Sequence, residues 1–171
     1  NDQEAKNFLR KEFGKNFENK FNYFKSGPHK ADLWRLCSLY KYGGCYLDVD
    51  VEMNKSFDYI INQIKEDFIV ADTLVGFKNK RVFNALMICK PGDKMIGECI
   101  KRIMLIKQRY LDFDYHYIIY VMTSILEEKL KNNKLLEMYK PSNNFNFIRL
   151  SQDYYLTINE EIIGKSKRKD Y

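Results

Sequence analysis

The chain has 171 residues, 45% apolar and 30% charged, with 29 Lys plus Arg against 23 Asp plus Glu and a formal charge of +6. That length accommodates one sizeable core, so residues 1–171 read as a single domain, and the composition excludes a chain too polar to fold. No apolar run approaches the roughly 20 residues of a membrane span, and Asp2, Glu4 and Lys6 interrupt any signal-like stretch at the start.

In residues 2–24, Phe8, Leu9, Phe13, Phe17, Phe21 and Phe24 recur at helical spacing, and Gly14 is expected to split the segment into two short helices. Over 30–42, Leu33, Leu36, Cys37 and Tyr40 follow the i, i+3, i+4, i+7 rule, and Gly43 stands where a left-handed cap residue is wanted. Positions 45–51 alternate, which predicts a strand with Cys45, Leu47, Val49 and Val51 on a buried face. Tyr46, Asp48 and Asp50 then share the other face.

Tyr59, Ile60 and Ile64 suggest a helix, 68–71 a strand and 74–77 another short strand. The apolar run 82–89 ends at the turn signal Lys90-Pro91-Gly92. Helices are predicted over 93–110 and 115–131, and strands over 145–150 and 154–158. Alternating helices and strands without an internal repeat point to an α/β architecture.

The chemistry concentrates at Asp48 and Asp50. On a strand, residues two apart send their carboxylates from one face, about 6.6 Å apart along the backbone. Two such carboxylates repel each other unless a cation sits nearby, and a hard divalent metal with oxygen ligands and open positions resolves the repulsion and can also bind a diphosphate. Taken alone, Asp-x-Asp is a weak signal, because such tripeptides are frequent on solvated loops. Asp32 and Arg35, three apart on the preceding helix, are neighbours on one face. They read either as an intrahelical ion pair or as a pair that binds sugar hydroxyls.

The longer string is more specific. Ala31-Asp32, then Arg35, Leu39-Tyr40, Gly43-Gly44, Tyr46, Asp48 and Asp50 stand in the order Ala-Asp-x-x-Arg, Leu-Tyr, Gly-Gly-x-Tyr-x-Asp-x-Asp. This resembles the sugar-binding region with the Asp-x-Asp motif of the glycosyltransferase family 32 group and its capsular-polysaccharide and clostridial-toxin relatives, with the core of the match at 31–52. The resemblance implies a GT-A type Rossmann-like fold for nucleotide-diphospho-sugar transfer. It also implies a UDP- or GDP-linked nucleotide-sugar donor, a glycan, lipid-linked or protein hydroxyl acceptor, a Mn²⁺ or Mg²⁺ cofactor and retention at the anomeric carbon.

By position, Asp50 would ligate the metal directly. Asp48 would contact donor sugar or ribose and reach the metal, and Asp32 and Arg35 would bind donor-sugar hydroxyls. A second, shorter match over 82–87 and Lys90-Pro91-Gly92-Asp93 makes Asn84 a candidate for donor or acceptor contact, against the alternative of a strand amide satisfying backbone. The family's opening strand and its late His beside a Trp have no counterpart in residues 1–171, so both are expected to be lacking from this chain.

The remaining residues draw structural readings. His29 is expected to hydrogen-bond locally at the start of its helix, and His116 to be packed or on the surface. Trp34 reads as core, with stacking on a base or sugar as the alternative. Glu52 shares the carboxylate face by parity, next to the end of its strand. Four cysteines without a Cys-x-x-Cys pair, beside two histidines, disfavour a zinc site and read as reduced, mostly buried thiols. The expected location is therefore cytoplasmic.

The positive surplus favours anionic partners. No nucleic-acid signature accompanies it, so no specific nucleic acid is expected. The tail Lys165-Ser166-Lys167-Arg168-Lys169 reads as a solvated end, with peripheral membrane contact as its functional alternative. Two rivals to an enzyme stand beside the main reading: a non-catalytic nucleotide-sugar or glycan-binding module, and a basic nucleic-acid or membrane adaptor.

Overall fold

The computed structural model describes residues 1–53, 56–63, 68–73, 81–131, 145–150, 153–158 and 161–167. Its helices are α1 (Asp2–Phe13), α2 (Lys15–Tyr23), α3 (Gly27–Tyr42), α4 (Phe57–Gln63), α5 (Lys94–Leu105), α6 (Gln108–Phe113) and α7 (Tyr117–Lys131). Its strands are β1 (Gly44–Leu47), β2 (Val51–Met53), β3 (Phe68–Thr73), β4 (Arg81–Cys89), β5 (Phe145–Leu150), β6 (Asp153–Ile158) and β7 (Glu161–Lys167). The mixture bears out the α/β reading. Ile64 and the strand expected at 74–77 lie outside the described residues. Two compact units divide the chain, residues 1–44 with 89–125, and residues 45–88 with 126–171.

In the first unit, α1 and α2 separate at Gly14, as the aromatic spacing predicts. Gly14 takes φ 93°, a conformation that side chains disfavour, and its N–H closes α1 on the Arg10 carbonyl. At the start of α1, Asn1 and Glu4 cap each other reciprocally. The next helix, α3, begins three residues earlier than its apolar spacing indicates. Pro28 in its first turn presets φ and gives up an N–H that no helix needs there. Leu33, Leu36, Cys37 and Leu39 of α3 are buried in this unit with Leu9, Phe21 and Phe24 and the α5 residues Met95, Ile96, Cys99 and Ile103.

Gly43 ends α3 with φ 65°, its N–H 2.7 Å from the Leu39 carbonyl. A Cβ there would lie 2.6 Å from Pro91 Cδ and 2.9 Å from the Cys89 carbonyl oxygen. Backbone angle and close approach both demand glycine. Gly43→Ala is expected to cost roughly 2 to 3 kcal/mol through strain and overlap. For a chain of this size that lowers the melting temperature by about 4 to 12 °C. Thermal unfolding followed by circular dichroism measures it, and an unchanged midpoint would contradict the packing at Pro91.

The helix predicted over 93–110 is instead two helices. Asp93 caps α5, accepting from the Ile96 N–H at 2.9 Å, and α5 stops at Leu105 because Ile106 is extended (φ −62°, ψ 130°) and buried. The Ile106 carbonyl accepts from the ammonium of Lys20 on α2. A lysine from another helix takes the place of the next helical N–H, an effect absent from the local periodicity.

The second unit carries the sheets. A three-stranded sheet runs β1-β4-β3, and a four-stranded antiparallel sheet runs β2-β7-β6-β5. β4 is the middle strand of its sheet, and Val82 and residues 84–89 on it are all buried, which accounts for its unbroken apolar run.

Two expectations fail in this unit. Positions 45–51 do not form one strand: β1 ends at Leu47, residues 48–50 turn, and β2 begins at Val51. The tail is also not a solvated end as far as Lys167. β7 lies between β2 and β6, with Lys165 in register with Glu52 and Ser166 with Val51. Its charges and Gly164 mask a strand from any reading of composition, whereas the ladder is set by the adjacent strand β6 and by β2, more than a hundred residues away. Arg168 and Lys169 lie outside the described residues. Among the described residues, no helix is long and apolar enough to cross a membrane.

Candidate functional site

Asp48 and Asp50 sit on a tight turn that breaks the strand in two. The Asp48 N–H makes a ladder bond to the Ala85 carbonyl of β4 at 2.9 Å, and the Val51 N–H closes the turn on the Asp48 carbonyl at 3.0 Å. Val49 between them is fully exposed. The buried face expected for Cys45, Leu47, Val49 and Val51 is therefore corrected: only Val51 is buried, and Cys45 is exposed. A turn satisfies the backbone locally and frees both carboxylates from a sheet surface.

Asp48 and Asp50 are each half-buried. The Tyr46 hydroxyl donates to Asp48 Oδ1 at 2.6 Å, a short charge-assisted bond that fixes the rotamer of this carboxylate. Tyr46 belongs to the sequence pattern, but its role as the group that orients Asp48 emerges only from the structure. The signal was the shared parity of positions 46 and 48. Asp50 makes no hydrogen bond or ion pair among the described residues, so its carboxylate is available to a ligand.

Asp32 and Arg35 lie on α3 as an ion pair, with Arg35 Nε 3.4 Å from Asp32 Oδ1. Both are buried, at 8% and 6% exposure. Burial makes the pair more consequential than a solvated i, i+3 contact, because neither charge can fall back on water. Asn84 is buried on β4 beside Ala85, the residue that takes the Asp48 N–H. Glu52 is exposed on β2.

His29 does not serve a local cap. It is 3% exposed in the first turn of α3, with Nε2 2.9 Å from the Tyr115 carbonyl and its ring 5.1 Å from that of Tyr115. This is a packing role that joins α3 to the α6–α7 connection. His116 is at the surface, beside Asp114 at 3.8 Å.

All four cysteines are free; Cys37, Cys89 and Cys99 are buried and Cys45 is exposed. Partial desolvation pushes the Cys45 thiol up to about 11, which disfavours the thiolate next to the turn. Trp34, expected in the core, is 36% exposed and lines a groove between α1 and α3.

The residues on the turn fit a hard divalent cation. Their donors are carboxylate oxygens, the chemistry that Mg²⁺ and Mn²⁺ select, without the nitrogen and sulfur donors of a zinc centre. Among the described residues no group of three or more His, Cys, Asp or Glu is gathered to hold a metal ion. A cation at this turn would take carboxylate oxygens from Asp48 and Asp50.

No curated protein and no solved structure matches the chain. The family described as the glycosyltransferase sugar-binding region containing the DXD motif does match, over residues 2–67. That span holds α1 to α4, the Asp32–Arg35 pair, Tyr46 and the carboxylate turn. Residues 2–67 are thus similar to the glycosyltransferase sugar-binding region, and Asp48-Val49-Asp50 falls inside the matched span with the Asp-x-Asp spacing.

Proposed function

We propose that this protein moves a sugar from a UDP- or GDP-linked donor to a hydroxyl of a glycan, lipid-linked or protein acceptor. In this reading residues 1–171 form one GT-A type domain that works with Mn²⁺ or Mg²⁺ and with retention at the anomeric carbon. One observation carries it: two carboxylates stand on a single partly exposed turn, one oriented by Tyr46 and the other without a protein partner among the described residues, inside the matched region.

Asp50 is assigned as the direct metal ligand, and Asp48 as a ligand shared between metal and donor sugar or ribose. A divalent cation bound there neutralises charge on the departing nucleoside diphosphate. The carboxylates place negative charge where the sugar becomes oxocarbenium-like. Asp32 and Arg35 are assigned to donor-sugar hydroxyls from the sequence pattern alone, and Asn84 to donor or acceptor contact. The reading of the four cysteines as reduced thiols supports a cytoplasmic location, and the basic residues 165–169 are the candidate for a peripheral membrane contact.

Tyr46 positions Asp48. Tyr46→Phe removes one hydrogen bond to a charged group, and turnover is expected to fall about tenfold, near 1.4 kcal/mol. The half-buried ring stays in place, so the melting temperature should hold. Steady-state hydrolysis of the donor beside thermal unfolding separates the two effects, and full activity in this variant would remove Tyr46 from the site.

A screen of UDP- and GDP-sugars for hydrolysis, with Mn²⁺ and with chelator, tests the whole reading. Metal-dependent release of nucleoside diphosphate is expected. Metal-dependent binding without turnover would make the protein a binding module, and neither binding nor turnover would overturn the proposal.

A further inference from the structure

The helical unit carries a groove that the carboxylate turn does not use. It encloses about 550 Å³ between α1 and α3, within the range of small-molecule sites. Lys30, Trp34, Ser38 and Tyr42 recur every four residues, so they form one stripe along α3. The stripe faces α1, where Phe8 lies with its ring 5.9 Å from that of Tyr42. Trp34 is 36% exposed and Tyr42 62% exposed, whereas Leu33, Leu36, Cys37 and Leu39 of the same helix are buried. Aromatic surface is thus left facing water inside a concave site.

The polar lining narrows the class of ligand. Lys30 Nζ pairs with Asp2 at 3.4 Å, and Glu4 adds a second carboxylate. The Asn1 ammonium in the same lining holds Glu4 at 3.0 Å, so each cation there is already paired with a carboxylate, which disfavours phosphate and diphosphate. What remains is flat aromatic surface with carboxylate and hydroxyl groups around it. A pyranose ring meets both demands: its C–H face packs on an indole or phenol ring, and its hydroxyls donate to carboxylates. Every one of these lining residues also falls within the matched sugar-binding region.

We propose that the α1–α3 groove binds a neutral sugar ring of the acceptor glycan. The word acceptor rests on the glycosyltransferase reading above; binding of the sugar does not. Trp34 is the stacking platform, Tyr42 a second ring beside it, and Asp2 and Glu4 the acceptors for hydroxyls.

The chain has one tryptophan, so its intrinsic fluorescence reports on this groove directly. The probes are maltohexaose, cellohexaose, mannohexaose and chitohexaose, with uridine and guanosine as the contrasting arm, all without metal. At least one oligosaccharide is expected to change the emission saturably, and neither nucleoside should. Ser38→Phe, which fills the groove, and Tyr42→Ala, which opens it, each keep the reporter and should weaken that binding at least tenfold. Emission unchanged by every sugar, a response to the nucleosides instead, or wild-type affinity in both variants would overturn the proposal. Trp34→Ala should abolish sugar binding by calorimetry, and wild-type sugar affinity in it would overturn the assignment of the platform. Sugar binding without any donor hydrolysis would leave the groove assigned and sink the glycosyltransferase reading alone.

Discussion

Asp50→Ala is expected to lower metal-dependent donor hydrolysis by about a thousandfold or more while leaving the melting temperature within about 2 °C of the wild type. A thousandfold is about 4 kcal/mol of transition-state stabilisation, the order seen when a preorganised charge at a reacting diphosphate is removed. The fold should not register the change, because Asp50 is half-buried on a turn and makes no hydrogen bond or ion pair among the described residues. Turnover and thermal unfolding on the same preparation check both halves. A variant that loses stability with activity would show a structural carboxylate, and one that retains activity would remove Asp50 from the site.

Asp32→Ala is expected to be strongly destabilising. It breaks the ion pair that Asp32 makes with the Arg35 guanidinium, which is 6% exposed, and breaking a buried pair costs about 3 to 5 kcal/mol. Replacing both members, as Asp32→Leu with Arg35→Met, removes the buried charges together and should cost under about 1 kcal/mol. Urea unfolding distinguishes them: a large fall in midpoint for the single variant and a small one for the double. A single variant costing less than about 1 kcal/mol would mean that Arg35 is satisfied without Asp32. The double variant has a second use. It keeps the fold while deleting both candidate sugar contacts, so donor binding in it tests their role free of stability effects.

The helical unit was legible where one residue decides local geometry. Gly14 and Gly43 announce their breaks because only glycine accepts φ 93° and φ 65°, and the stripe on α3 announces its buried face. Legibility failed where partners distant in sequence decide. Nothing within 93–110 signals that Lys20 takes the Ile106 carbonyl and ends α5. Strand β7 hides in a charged segment because its pairing with β2 and β6, not its propensity, makes it a strand.

The site shows the same division. The residue types and order of Asp32, Arg35, Tyr46, Asp48 and Asp50 were readable, because chemistry fixes them. Their setting was not. Alternation over 45–51 predicts a strand face, but Val51 closes back on Asp48 and makes a turn, with Val49 in solvent. Trp34 failed for a related reason. Its place on α3 suggested core, yet the stripe it shares with Lys30, Ser38 and Tyr42 faces a groove.

The central claim is that the Asp48–Asp50 turn binds a nucleoside diphosphate through a divalent cation. Calorimetric titration of UDP and of GDP, with Mn²⁺ and with chelator, into wild type and Asp50→Ala tests it most directly. Binding of one nucleotide that requires metal and weakens at least tenfold in Asp50→Ala is the predicted result. Equal affinity with and without metal, or in the variant and the wild type, would contradict it.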